Sequence, residues 1–226
     1  MHNLTMPAED HLPDLLPDTP FPLFMRWFDL ARDRKAQPNP NAMVLATADA
    51  AGSPSARVVL CKHIVPDPGY IVFFTNYQSH KGIELEARPR AAVVFHWDAL
   101  QRQVRMEGPV TKSPTDESDA YFATRSVGSR VGAWASEQSK PLGSRAELAA
   151  RVADAAKRLG VAADSRDGVV PRPIHWGGFR LWPDSVELWI EGADRVHDRA
   201  RWSRVLKERE PLSFSASSWN ATRLFP

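Results

Sequence analysis

Cysteine is almost missing. Cys61 is the only one in 226 residues, which excludes an intrachain disulfide and leans towards a reducing, cytoplasmic setting. It alternates with apolar neighbours on a strand-like run and reads as a small buried hydrophobe. No apolar run reaches the ~20 residues of a membrane-spanning helix. The N-terminus lacks the basic start and apolar centre of a signal peptide. Charge of one sign is also scarce: 29 Lys and Arg against 27 Asp and Glu leave a formal +2, too little for a general nucleic-acid binder. There is no Gly-x-Gly-x-x-Gly, no Walker loop and no Gly-x-Ser-x-Gly elbow, which argues against the corresponding nucleotide and hydrolase sites. The seven histidines are scattered without metal-ligand spacing, and one cysteine cannot make a structural zinc site.

What is present is ample core material. Hydrophobic residues make up 43% of the chain and charged residues 25%, and the length fits one large domain or two small ones. Residues 1–20 interleave Glu9, Asp10, Asp14 and Asp18 with Pro7, Pro13, Pro17 and Pro20 and read as a mobile tail. The folded domain is expected over 21–226. Phe24, Trp27, Phe28, Leu30 and Ala31 predict an amphipathic helix over about 22–36. Strands are predicted at 42–47, 57–62, 70–75, 91–97 and 103–110, with turns at 51–54 and 67–69. Helices follow at about 114–125, 129–136 and 143–159, then a loop over 160–173. Strands return at 177–181, 186–189 and 195–199. This is a mainly β chain with inserted helices, and six or more antiparallel strands with few crossovers predict a closed barrel.

Two constellations carry chemistry. In the run 191–199, strand periodicity puts Arg195, His197 and Arg199 on one face. Two guanidiniums beside an imidazole suit an anionic ring or phosphate, and equally a basic edge strand kept soluble by charge. In the middle of the chain, Tyr121 and Arg125 lie four apart on a predicted helix and share a face. Gly128 and Ser129 then begin the next helix, whose free N–H groups and Ser cap complete a phosphate cradle; an ordinary helix–turn–helix fits the same spacing. Lys62 ends its strand where it can add to that anion. Ser79 and Lys81 offer a second phosphate position at another helix start. The tract Arg199–Arg209, with Trp202, is a weaker candidate for stacking on nucleic acid.

The segments RVVLCK (57–62), FFTN (73–76), SHKG (79–82), RQV (102–104), GSRVGAWASEQS (128–139), WGGFR (176–180) and RVHDR (195–199) occur in one order. From about residue 22 to the C-terminus, their order and spacing resemble the pyridoxine/pyridoxamine 5'-phosphate oxidase family. The resemblance implies an FMN-binding antiparallel split barrel. It implies a homodimer with FMN at the subunit interface, a phosphorylated pyridine-ring substrate and molecular oxygen as acceptor. No metal, nucleic-acid or membrane partner is expected. Carried over by position, Arg57, Val58, Lys62, Phe74, Thr75, Lys81, Gln103, Gln138, Ser139, Trp189 and Arg199 would contact FMN. Lys62, Tyr121, Arg125 and Ser129 would hold the substrate phosphate, with Arg195 and His197 catalytic over the ring. The five-residue spacing of Arg57 and Lys62 requires a bulge or two separate points of approach.

The chain departs from the family in several places. The tail lacks an Arg-Arg-x-Tyr element. Trp189-Ile190-Glu191-Gly192 stands where Trp-Gln-Gly is expected, Arg130 replaces a Gln, Ser126 a Pro and His80 an Arg. The flavin oxidases of phenazine biosynthesis share the fold and also lack the tail element. They are the nearest alternative, and a non-catalytic flavin-binding split barrel is the next.

Overall fold

The computed structural model describes residues 11–161, 168–210 and 212–226. Phe21, Phe24, Trp27 and Ala31 recur at helical spacing and are all buried, which makes Phe21–Asp33 the helix α1. The chain continues through β1 (Ala42–Ala48), β2 (Pro54–Val65), β3 (Tyr70–Asn76), α2 (His80–Ala87), β4 (Arg90–Trp97) and β5 (Arg102–Lys112). Three helices follow, α3 (Thr115–Ala123), α4 (Val127–Ala135) and α5 (Arg145–Arg158). The last strands are β6 (Trp176–Leu181), β7 (Ser185–Ile190), β8 (Asp198–Ser203), β9 (Leu206–Glu210), β10 (Ser213–Ala216) and β11 (Asn220–Leu224).

Strands β5, β4, β1, β2, β3 and β6 pair in that order, and β6 pairs back to β5. All six pairings are antiparallel, so the ring is a closed barrel. β4 occupies one edge of β5 from Arg102 to Pro109. The other edge is divided: Arg102–Glu107 pair with β7, and Val110–Lys112 pair with β6. β8 and β11 extend the sheet beyond β7. At the division the Trp182–Pro183 backbone presses on Gly108, where any Cβ would collide with the Trp182 carbonyl. Trp182 N–H donates to the Pro109 carbonyl and Asp184 N–H to that of Glu107, both at 2.9 Å.

The alternation of β4 sends Ala91, Val93, Phe95 and Trp97 inward. There they meet α1, with Phe24 and Phe95 centroids 5.2 Å apart and Phe28 and Trp97 6.2 Å apart. A smaller core gathers Phe122, Val131, Ala155, Ala156 and Trp176 among α3, α4, α5 and β6. Cys61 is buried as expected, and burial pushes its thiol up to about 12. Ile190 also lies in the main core.

Four expectations change. Residues 11–20 are fastened rather than mobile: Leu12 is buried and its N–H donates to Asp198, while Trp202 Nε1–H donates to the Pro17 carbonyl. Residues 1–10 lie outside the described residues, as does 162–167 of the expected loop. The strand expected at 195–199 begins only at Asp198, because Asp194 and Arg195 take φ of 53° and 62° in a tight turn. A side chain at Gly192 would strike the Val196 carbonyl there. Arg195, His197 and Arg199 therefore do not share a strand face. Helix α3 stops at Ala123, which leaves Arg125 in the link to α4. Trp202 is fully buried, so it is not available to stack on a nucleic acid.

Replacing Gly108 by Ala is expected to cost about 1–3 kcal/mol, the usual cost of forcing atoms into a packed site. Urea unfolding measures it, and an unchanged midpoint would show that the divided edge tolerates a Cβ.

Candidate active site

Two cationic corners face one cavity of about 710 Å³. The first is built by β2, β3 and α2. Ser79 caps α2 by accepting from Gly82 N–H, which starts the helix beside the end of β3. Lys81, on its first turn, is buried. Its ammonium donates to Thr75 Oγ1, Ser79 Oγ and Gln138 Oε1, each at 3.1 Å. Burial, and after it the Arg57 cation, lower its pKa to about 8, with Glu84 opposing both. Arg57 lies across the cavity wall on β2, held by Ser55 and Glu84.

The second corner is aromatic. Phe74 stacks on Tyr121 with centroids 4.0 Å apart and on Trp176 at 5.6 Å. Lys62 Nζ stands 5.7 Å from the Tyr121 ring. The Arg125 guanidinium lies 4.7 Å over Trp176 and 5.5 Å from Phe122. Its Nη1 is buried and finds no hydrogen-bond partner, and burial pulls its pKa below the ordinary arginine value. An unmatched guanidinium of this kind calls for an anion. Ser129 sits on the first turn of α4. The cap is Ser126, not Ser129: its Oγ accepts from Ser129 N–H and donates to Ser129 Oγ at 2.8 Å. The family departure at 126 thus has a local role.

Ten of the residues expected at the site line this cavity: Arg57, Val58, Lys62, Phe74, Thr75, Lys81, Tyr121, Arg125, Ser129 and Gln138. The spacing problem at Arg57 and Lys62 resolves through a bulge. Cys61 pairs with Phe73 and His63 with Val72, so Lys62 is the extra residue and turns towards the cavity that Arg57 lines. Asn76, Gly132, Ser136 and Trp176 also line the cavity without having been singled out. Trp176 was visible only within WGGFR; a large aromatic directly before a glycine pair was the available signal. Those glycines are obligatory, since a Cβ at Gly178 would meet Ser113 and Phe74.

Gln103, Trp189, Arg195, His197 and Arg199 lie elsewhere. Gln103 pairs with Trp189 and Trp189 with Arg199, so these three form one row across β5, β7 and β8. Arg199 donates through Nε and Nη2 to Glu187 Oε1, at 3.1 and 2.8 Å, and through Nη1 to the Phe225 carbonyl. The His197 ring packs on Trp189 at 4.7 Å. Its Nδ1 accepts from Gly192 N–H, which places the proton of the neutral ring on Nε2. Arg195 is exposed. Ser139 follows Gln138 with a φ of 74° and is absent from the cavity lining.

The closed barrel and the divided β5 define a split-barrel protein with a cationic cavity. Residues 32–158 match the family model described as pyridoxamine 5'-phosphate oxidase. Residues 176–226 match the pyridoxine 5'-phosphate oxidase C-terminal dimerisation region. The chain is 49% identical over 207 residues to the pyridoxine/pyridoxamine 5'-phosphate oxidase of Paraburkholderia phymatum, covering 92% of this chain and 89% of that one. It is 53% identical over 186 residues to the protein of the same name in Cupriavidus necator, covering 82% of each. A crystal structure of PhzG from Burkholderia lata 383, in complex with tetrahydrophenazine-1-carboxylic acid, superposes with a TM-score of 0.79 at 31% identity, covering 99% of this chain and 98% of that one. The chain belongs to the pyridoxamine 5'-phosphate oxidase family. Among the described residues, no helix is long and apolar enough to cross a membrane.

Lys81 gives a pH signature to the ligand-free protein. Its ammonium titrates near 8 when folded and near 10.5 when unfolded, so the unfolded state binds more protons between those values. Stability from this group therefore rises with pH across that window. Urea midpoints at about pH 7.5 and about pH 9.5 should rise less in Lys81→Met than in the parent. Equal changes in both proteins would show that Lys81 is not the group responsible.

Proposed function

We propose that the chain is an FMN-dependent oxidase converting pyridoxine 5'-phosphate or pyridoxamine 5'-phosphate to pyridoxal 5'-phosphate. With the alcohol, one oxygen molecule takes two electrons and two protons and leaves as hydrogen peroxide. With the amine, water is also consumed and ammonia released. The observation that carries this reading is the presence of two separate cationic corners in one cavity, one for each phosphate.

The first corner fits the flavin phosphate. Arg57 and Lys81 supply the cations, and Lys81 already spans the oxygens of Thr75 and Gln138. When bound, FMN supplies the two-electron acceptor chemistry. The second corner fits the substrate phosphate, with Arg125, Tyr121, Ser129 and Lys62 as donors. Arg195 and His197 orient the ring, His197 through the Nε2 that its Gly192 contact leaves for the substrate. Since Gln103, Trp189 and Arg199 form a row apart from the cavity, and Arg195 and His197 lie outside its lining as well, the reading takes all five from a second copy of the chain. The match of residues 176–226 to a dimerisation region supports this arrangement.

The PhzG likeness favours a second reading, oxidation of a dihydrophenazine-type carboxylate. Several donors converge on the second corner beside the unmatched Arg125, which suits a phosphate dianion better than a single carboxylate. The higher identity of the named relatives points the same way.

Peroxide release measured on both B6 phosphates, on unphosphorylated pyridoxine and on a phenazine precursor tests the choice. Arg125→Ala should raise KM for pyridoxine 5'-phosphate about tenfold or more, the worth of one charged hydrogen bond, with FMN content unchanged. Loss of FMN instead would mean the two corners are assigned the wrong way round. FMN-loaded protein inert towards both B6 phosphates would reject the B6 reading.

A further inference from the structure

The Glu84 carboxylate has no part in the chemistry above. It lies on α2, one turn after Lys81, with 3% of its side chain exposed. A buried carboxylate near a phosphate position weakens attraction there, so its partners must explain it. Its Oε2 accepts from Thr47 Oγ1 at 2.5 Å and from Arg57 Nη2 at 3.1 Å. Ser55 Oγ stands 2.7 and 2.8 Å from its two oxygens. His80 Nε2 lies 3.3 Å from Oε1. Burial pushes the carboxyl up, but the bonds from Thr47, Ser55 and Arg57 outweigh it and hold it below the ordinary glutamate value.

The same hydroxyls meet Arg57. Its Nη1 donates to Thr47 Oγ1 and to the Leu45 carbonyl, and its Nη2 to Ser55 Oγ. Thr47 and Ser55 are partners in the β1–β2 register. Glu84 thus ties α2 to that strand pair and engages one side of the Arg57 fork. An arginine tethered through both terminal nitrogens has already given up much of its rotamer freedom, so less is lost when an anion arrives.

We infer that Glu84 is a positioning residue that holds the Arg57 guanidinium facing the flavin phosphate. The inference rests on the proposed FMN site. It separates from that reading because riboflavin, the flavin without the phosphate, does not engage Arg57.

Titration of FMN and of riboflavin, followed by flavin fluorescence, tests it. Glu84→Ala should raise Kd for FMN about tenfold or more, the loss of about one charged hydrogen bond, and leave riboflavin within about twofold. Glu84→Gln, which keeps the volume and a carbonyl acceptor, should fall between. Equal weakening of both flavins would reduce Glu84 to a structural role. Tighter FMN binding would show that it only repels the phosphate. Either result, or no change, overturns the inference. Where Glu84→Ala does not fold, Ser55→Ala removes the shared hydroxyl without stranding a charge; a selective loss for FMN supports the inference, and no selectivity overturns it. Parent protein that binds neither flavin would overturn the functional reading itself.

Discussion

A strand has two hydrogen-bonding edges, and β5 serves three neighbours with them. β4 takes one edge from Arg102 to Pro109, while β7 and β6 divide the other at Gly108-Pro109. Gly108 has no Cβ to obstruct the Trp182 backbone, and Pro109 contributes only the carbonyl that Trp182 uses. The second half of β5 closes the barrel and so fixes β3 and β6, which carry Phe74, Thr75 and Trp176. The first half launches β7 and β8, which carry Trp189 and Arg199. The separation of cavity from row is therefore a consequence of one shared edge.

The cations of the site differ in how far they are already matched. Arg57 leans on Glu84 and two hydroxyls, Lys81 on three neutral oxygens, and Arg125 on aromatic faces alone. A guanidinium over indole is attracted by the ring quadrupole, yet that contact leaves the buried Nη1 of Arg125 without an acceptor. A cation already paired is fixed in place before its ligand arrives, whereas an unpaired one is matched only while the ligand is present. The gradient from Arg57 to Arg125 fits a resident cofactor at one corner and an exchanging substrate at the other.

Most barrel strands were legible because one face of each is buried and the other is not, as in β4. The helices at α1 and α5 were legible for the corresponding reason at period 3.6. The run 195–199 misled because alternation in sequence does not compel extension: the close approach of Gly192 to the Val196 backbone bends the chain first. Strands β9 to β11 escaped notice because they are short and largely exposed, and so show no two-sided pattern. Basic neighbours drew attention to Trp202, although β8 alternates and turns Ala200 and Trp202 inward while Arg201 faces out. Spacing alone pointed to two anion positions, and their assignment to particular residues came from the family resemblance.

The N-terminal segment shows why proline and acid content is a poor guide to mobility when the partner is cationic. Prolines remove N–H donors but leave every carbonyl exposed for capture. Here Arg223 donates to the carbonyls of Leu12 and Pro13, and the Trp202 indole to that of Pro17. The one amide that matters, Leu12 N–H, goes to Asp198, which Arg223 also engages. Asp198 begins β8 directly after the turn that presents Arg195 and His197. The segment therefore clamps the base of that turn from one side, while the Gly192–His197 hydrogen bond closes it from the other. The first described residues thus hold the loop that carries Arg195 and His197 through their backbone rather than their side chains.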